Sequence, residues 1–230
     1  MKRTLSLLMA LSLILLIFIP NIQAGDVKIK YPIIFLDTCG ALMSDAESLD
    51  LFCVYVGIKY DFISTGDAVF SSQQLVSGTG LPGVYTRYYQ DRTFKSGFPD
   101  GTQYNTIVFL IGVNSRSTLW WQPGTIDAVI RQVKSNIEWA KDNGIKVVGM
   151  HLGGEYYRDS KSGGKGDLHN ERLIDNIAPM CDILIVQSSP GGSDGNFDGK
   201  FTKIAEEHNI DLYTSDLLGC FNTLKSLIEE

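Results

Sequence analysis

The sequence predicts an α/β fold: a single three-layer αβα sandwich with a mostly parallel sheet of five or six strands, of the flavodoxin or Rossmann kind. Three observations carry this expectation. Continuous apolar runs such as TIVFLIG and DILIV read as buried strands. Stretches between them repeat apolar residues at spacings of three and four, the pattern of amphipathic helices that cover a sheet. Strand and helix alternate with no internal repeat and no separating linker, and right-handed crossovers then yield a parallel sheet with helices on both faces.

Residues 1–24 read as a signal peptide. Lys2 and Arg3 give a basic start, residues 5–19 are almost unbroken apolar, Pro20 breaks the run, and Ala24 places a small residue before Gly25. The run is shorter than the roughly 20 residues that span a bilayer, which favours cleavage over an anchor. A single domain over 25–230 is then expected, secreted or periplasmic, with no stable membrane insertion after signal cleavage.

The first strand is YPIIFLD (31–37). Ser44 and Glu47 form a capping box for a helix carrying Ala46, Leu49, Cys53 and Val56 on one face, ended by Gly57. YDFIS (60–64) is a short second strand. Regular patterning fails over 66–103, where glycines and serines alternate with aromatics; so long a connection is often a lid or binding loop. NTIVFLIG (105–112) is the third strand, followed by Asn114, Ser115 and Arg116. After Pro123, Ile126, Val129, Ile130, Val133 and Ile137 mark a helix that Gly144 ends.

The fourth strand lies in IKVVGMHLGGE (145–155). Leu173, Ile174 and Ile177 mark the next helix, DILIV (182–186) the fifth strand, and Phe201, Ile204, Ala205 and His208 one face of the helix after it. A sixth strand at 210–214 and a last helix over 216–228 complete the chain.

Charge and cysteines bound the function. Without Lys2 and Arg3 the chain has 18 basic against 26 acidic residues, a net charge of −8. No basic run is present, so nucleic acid is not an expected partner. Cys39 sits before a helix and Cys53 well along it, too far apart to bridge, and Cys181 and Cys220 are assigned to opposite edges of the sheet, so mostly free, partly buried thiols are expected.

Ligands of open α/β sheets sit at the carboxyl ends of strands. The strand ends here supply Asp37, Thr38, Asn114, Ser115, Arg116, His151, Gly153, Gly154, Glu155, Ser188 and Ser189, with Arg158 just beyond. Adjacent glycines can aim successive amides at an anion, His151 and Glu155 can donate or accept, and Arg116 and Arg158 can hold a carboxylate or phosphate in bidentate fashion. Asp194, Asn196 and Asp198 reproduce the first half of a calcium loop, D-x-N-x-D-G, but position twelve is Ala205, and Asp198 also suits a helix N-cap. Calcium is thus the single cofactor raised. No G-x-S-x-G elbow, H-x-x-x-H pair or G-x-G-x-x-G follows a strand, and SGGKG lacks the Ser or Thr of a phosphate loop.

GMHLGGE, MCDILIV and DGKFTKIAEEHNI resemble phrases of a family of small secreted bacterial proteins described as a domain of unknown function. The resemblance covers most of 145–210 and implies a signal peptide and an αβα domain, without an activity. The leading expectation is an extracytoplasmic protein that binds a small polar or anionic solute, with a transporter or envelope protein as partner. The alternatives are a hydrolase using His151 as acid–base beside Glu155 or Asp37, and an envelope protein-interaction module.

Overall fold

In a computed structural model, the structure describes residues 28–37, 46–63, 98–112, 125–158, 169–189 and 193–229. They contain the strands β1 (Ile33–Asp37), β2 (Asp61–Ile63), β3 (Thr106–Leu110), β4 (Lys146–His151), β5 (Ile183–Gln187) and β6 (Asp211–Ser215). The helices are α1 (Ala46–Val56), α2 (Thr125–Asp142), α3 (His169–Ile177), α4 (Lys200–His208) and α5 (Leu217–Leu227). All neighbouring strands pair in parallel, in the order β2-β1-β3-β4-β5-β6. The expected αβα sandwich is the observed one, with six strands. The expected signal peptide, the expected capping box at Ser44 and most of the 66–103 stretch lie outside the described residues.

Alternation along each strand divides the core into two layers. Ile34, Leu36, Ile107, Phe109, Val147, Leu184 and Val186 face α2, α3 and α4, which return Ile126, Ile130, Ile137, Leu173, Ile174 and Phe201. On the other side Ile33, Phe35, Val108, Leu110, Val148, Met150 and Ile185 meet Leu49 and Cys53 of α1 and Phe221 and Leu224 of α5. Both faces of the central strands are covered, which is why these strands read as continuous apolar runs. Gly149 belongs to the first layer and has no substitute there. A Cβ on it would lie 2.8 Å from Cys181 Sγ and 2.9 Å from both Ile111 Cδ1 and Leu184 Cδ2.

The pole of the sheet opposite the strand ends is closed by the chain itself. Ile29 donates to the Leu227 carbonyl at 3.0 Å and accepts from the Glu229 amide at 2.9 Å, and the Thr106 hydroxyl donates to the Lys30 carbonyl at 2.8 Å. Two buried pairs, Tyr60 to Asp50 at 2.7 Å and Tyr104 to Asp61 at 2.6 Å, give hydrogen-bond partners to carboxylates that sit inside the apolar layers.

Three local expectations are corrected. Cys181 precedes an interior strand, not an edge one, and what separates it from Cys220 is the sheet, since the two pack in opposite layers. Cys53, Cys181 and Cys220 are free and buried, whereas Cys39 lies outside the described residues. His208 is exposed, because α4 turns only Phe201, Ile204 and Ala205 inward. The N-cap of α4 is Gly199, in the left-handed region at φ 72°, and not Asp198. Its free amides are served by side chains upstream: Asn196 Oδ1 accepts from Phe201 N at 2.9 Å, and Asp198 Oδ1 from Lys200 N at 3.1 Å.

Candidate functional site

The strand order places the chain reversal between β1 and β3. From β1 the chain steps outward to β2, then returns to the other side of β1 and moves steadily to β6. At such a reversal the loops leaving two adjacent strands diverge to opposite faces of the sheet, opening a crevice at their carboxyl ends. Asp37 ends β1 and pairs in register with Leu110 of β3. The segment bearing Asn114, Ser115 and Arg116 leaves from the end of β3. Thr38, Asn114, Ser115 and Arg116 lie outside the described residues, so of this group the backbone of Asp37 alone is placed.

The carboxyl ends of β4 and β5 are filled by protein. His151, last residue of β4, points into the α2–α3–α4 layer like Val147 and Gly149 before it, and is fully buried. Its Nδ1 lies 2.9 Å from the Ile111 carbonyl. A carbonyl only accepts, so Nδ1 carries the proton, and Nε2 of the neutral ring is left as a lone pair. That Nε2 is buried without a hydrogen-bond partner. Burial pushes the ring down to about 4, and the Arg158 charge adds to this, while the Ile111 and Gly154 backbone and the Glu171 charge pull the other way. Phe201 of α4 covers the ring at 5.2 Å between centroids.

The two glycines after His151 shape a close approach. Gly153 (φ 101°) and Gly154 (φ 57°) take left-handed conformations that open a short 3₁₀ turn, Gly154–Tyr157. A Cβ on Gly154 would stand 2.0 Å from Ser193 Oγ and 2.6 Å from the Ser193 backbone carbon. The Gly153 amide donates to Gln187 Oε1 at 2.7 Å, and its carbonyl accepts from the Ser193 hydroxyl at 3.0 Å. The expected anion-aiming amide of Gly153 is therefore occupied by the chain's own Gln187. Glu155 is half-buried with interactions of its own, and Ser188 and Ser189 are half-buried at the end of β5.

Arg158 is the largest correction. Expected to reach for an external anion, it is instead 0% exposed. Nε and Nη2 grip Glu171 of α3 at 2.7 and 3.2 Å, Nη2 also donates to Asp198 at 2.7 Å, and Nη1 donates to the Gly195 carbonyl. The guanidinium lies against the rings of Phe197 and Phe201, 5.1 and 5.8 Å from their centroids. Lys200 shares Glu171 at 2.6 Å and reaches Asp175 at 2.6 Å. Burial alone would raise Glu171, but hydrogen bonds from Arg158 and Lys200 hold it below the usual carboxylate range. Burial likewise opposes Asp198, which Arg158 and the Lys200 amide hold low.

This network gives the calcium-like loop a different reading. Asp194 Oδ1 accepts from the Asn196 amide at 2.8 Å, Asn196 Oδ1 caps α4, and Asp198 Oδ2 accepts from Arg158. The loop curls around a guanidinium where a calcium loop curls around a cation. Among the described residues no group of three or more His, Cys, Asp or Glu is arranged to hold a metal ion.

The two sequence phrases that drew attention, GMHLGGE and DGKFTKIA, are thus one packed joint. Residues 83–227 match the family model described as Domain of unknown function (DUF6305). The chain belongs to this family. The match runs through β3, β4, β5 and β6 and contains the whole joint. No curated protein and no solved structure matches the chain.

Sequence reasoning missed Glu171, Gln187, Ser193, Gly195 and Lys200, each a partner in this DUF6305 joint. One signal was readable. Glu171 lies three residues before Ile174 on the apolar face of α3, and an acid on a buried face implies a buried cation.

Proposed function

We propose that this DUF6305 protein is an extracytoplasmic binding protein for a small polar or anionic solute, held at the carboxyl ends of β1 and β3. The observation that carries the reading is the reversal of strand order between these two strands. The ligands in this reading are the residues at and just beyond the ends of the two strands in sequence, Asp37 and Thr38 for β1 and Asn114, Ser115 and Arg116 for β3. Arg116, not Arg158, is the residue that meets a carboxylate or phosphate. His151 supports the site from beneath: a buried ring with its Nδ1 proton committed to a carbonyl does not serve as acid–base for a substrate arriving from solvent, which sets the hydrolase reading aside.

The signal-like residues 1–24 support an extracytoplasmic setting. Among the described residues no helix is long and apolar enough to cross a membrane. The solute would pass to a transporter or envelope protein.

Thermal denaturation against a panel of carboxylates, phosphate esters, sugars and amino acids tests the reading, because a ligand that binds only the folded state raises the melting temperature. One solute class should raise it in the wild type, and Arg116→Ala and Asp37→Asn should remove the shift without lowering the unliganded melting temperature. A shift that survives both substitutions, or a panel with no shift, refutes it. The interaction-module reading has one observation of its own: α1 exposes Leu51, Val54 and Tyr55 along one stripe, at 66%, 39% and 75%.

A further inference from the structure

We infer that His151 is the pin of an acid-releasable latch that holds the segment 193–199 down on the carboxyl ends of β4 and β5. The inference does not depend on the solute reading above. It starts from the tautomer. Because the Ile111 carbonyl occupies Nδ1–H, any further proton must go to Nε2. Nε2 is buried with no partner in hydrogen-bonding geometry, and although the Gly154 backbone favours a protonated ring, burial outweighs it, so a proton there is a poorly satisfied charge in a site of low polarity.

The wall over Nε2 is the latched segment itself. A Cβ on Gly195 would sit 2.8 Å from His151 Cδ2 and 3.3 Å from Nε2, so the bare Gly195 backbone is what closes the ring off. Gly195 is held from two sides: its amide donates to the Gln187 carbonyl at 2.8 Å, and its own carbonyl accepts from Arg158 Nη1. With no carbonyl in hydrogen-bonding geometry at Nε2, a protonated ring gains a full acceptor by letting water in, and that means lifting Gly195.

The charges around the ring do not remove this cost. Arg158 stands on the loop after β4, Glu171 on α3, and Asp198 and Lys200 on the segment leading into α4, while Glu155 and Asp194 belong to the same two loops. Glu171 and Asp198 are tied to Arg158 and Lys200 and are held low, so they stay ionised through mildly acid solution. Between pH 7 and pH 5 the group that changes is therefore the ring. With His151 near 4 when covered and near its ordinary 6.5 when lifted, the open population rises about 20-fold from pH 7 to pH 5.

Amide hydrogen exchange of the full chain, corrected for the chemical exchange rate at each pH, reads this directly. Protection of the Gly195 amide should fall about 20-fold between pH 7 and pH 5, while that of Val108 in the centre of the sheet stays level. His151→Asn keeps a donor for the Ile111 carbonyl but does not titrate, and in it the Gly195 protection should not change with pH. If that variant does not fold, the wild-type imidazole titration followed by NMR replaces it: the His151 ring should titrate well below 6.5, and the Gly195 amide shift should follow it. Level Gly195 protection in the wild type overturns the latch. So does an equal fall in His151→Asn, an equal fall at Val108, or a His151 ring that titrates at its ordinary value.

Discussion

Replacing Arg158 by alanine tests the joint on which the strand ends are built. In the native chain the guanidinium makes three contacts to the carboxylates of Glu171 and Asp198 and one to the Gly195 carbonyl, all inside a 0% exposed site. Such a buried cluster adds little to stability when compared with well-packed apolar residues, but removing one partner leaves charges buried without compensation and costs about 3–5 kcal/mol. Asp198, 38% exposed at its side chain, recovers water and contributes little to that loss; Glu171, 12% exposed, loses its two-pronged guanidinium partner and contributes most. Lysine should not rescue the site, since one ammonium cannot span Glu171, Asp198 and Gly195 with a planar fork. Urea denaturation at pH 7 should show the midpoint falling in Arg158→Ala with the slope unchanged, and Arg158→Lys losing about 2 kcal/mol or more. The sign with pH also follows. Glu171 and Asp198 are held below their ordinary values, so their contribution is present above those values and is lost as pH falls through the folded ones. The gap between wild type and Arg158→Ala should therefore narrow at pH 3. A loss under about 1 kcal/mol, a lysine variant equal to wild type, or a gap independent of pH would refute the reasoning.

Other perturbations probe the same framework. Gly149→Ala forces a methyl against Cys181, Ile111 and Leu184 and should cost about 1–3 kcal/mol in urea denaturation, part of which Cys181→Ala in the same chain should restore. Gly154→Ala should disturb the His151 joint, and Ser193→Gly should not repair it, because the obstruction includes the Ser193 backbone; circular dichroism melts of the single and double variants decide this. Burial pushes Cys181 and Cys220 up to about 12 and Cys53 well above its ordinary value. In a Cys39→Ser chain these three thiols should resist a disulfide reagent at pH 8 and react on adding denaturant, and rapid labelling in native buffer would contradict their burial.

The fold was legible because its determinants are local. IVFL within β3 and ILIV within β5 are unbroken apolar runs, as strands covered on both faces require, and the residues at three-and-four spacing in α2 are those that the sheet buries. The strand order was not legible: nothing within β1 or β3 states that β2 lies on the outside, and the crevice position follows from that order alone. At the candidate site the reading named Arg158 as a ligand for an external anion, and the structure buries it. An arginine after a glycine pair in a polar loop looks solvent-facing, and its partners Glu171 and Asp198 stand 13 and 40 residues away. Burial is a property of those distant partners, and a single sequence keeps no record of the pairing.

GMHLGGE and DGKFTKIA, both inside the residues matched to DUF6305, accordingly bear on architecture before they bear on ligands. The His151 ring against Phe201 joins GMHLGGE to DGKFTKIA directly, and residues beside the phrases extend the joint, with Gly154 against Ser193 and Arg158 bridging Gly195 and Asp198. Each contact needs both the loop after β4 and the segment leading into α4, so a change in one alone leaves a clash, a hole or an unpaired charge in the other. Such coupling keeps the turn after β4 and the entry to α4 in a fixed relation. Under the proposed solute reading, the residues that would touch a solute are then free to differ at the ends of β1 and β3, outside the joint. Two proteins sharing both phrases would have this pole built alike and could still hold different solutes. Exchanging the residues at 114–116 between two such proteins should therefore move solute preference with the segment and leave stability in urea unchanged. If preference instead follows the His151–Arg158 joint, the crevice lies over β4 and β5, and the strand-order argument for β1 and β3 fails.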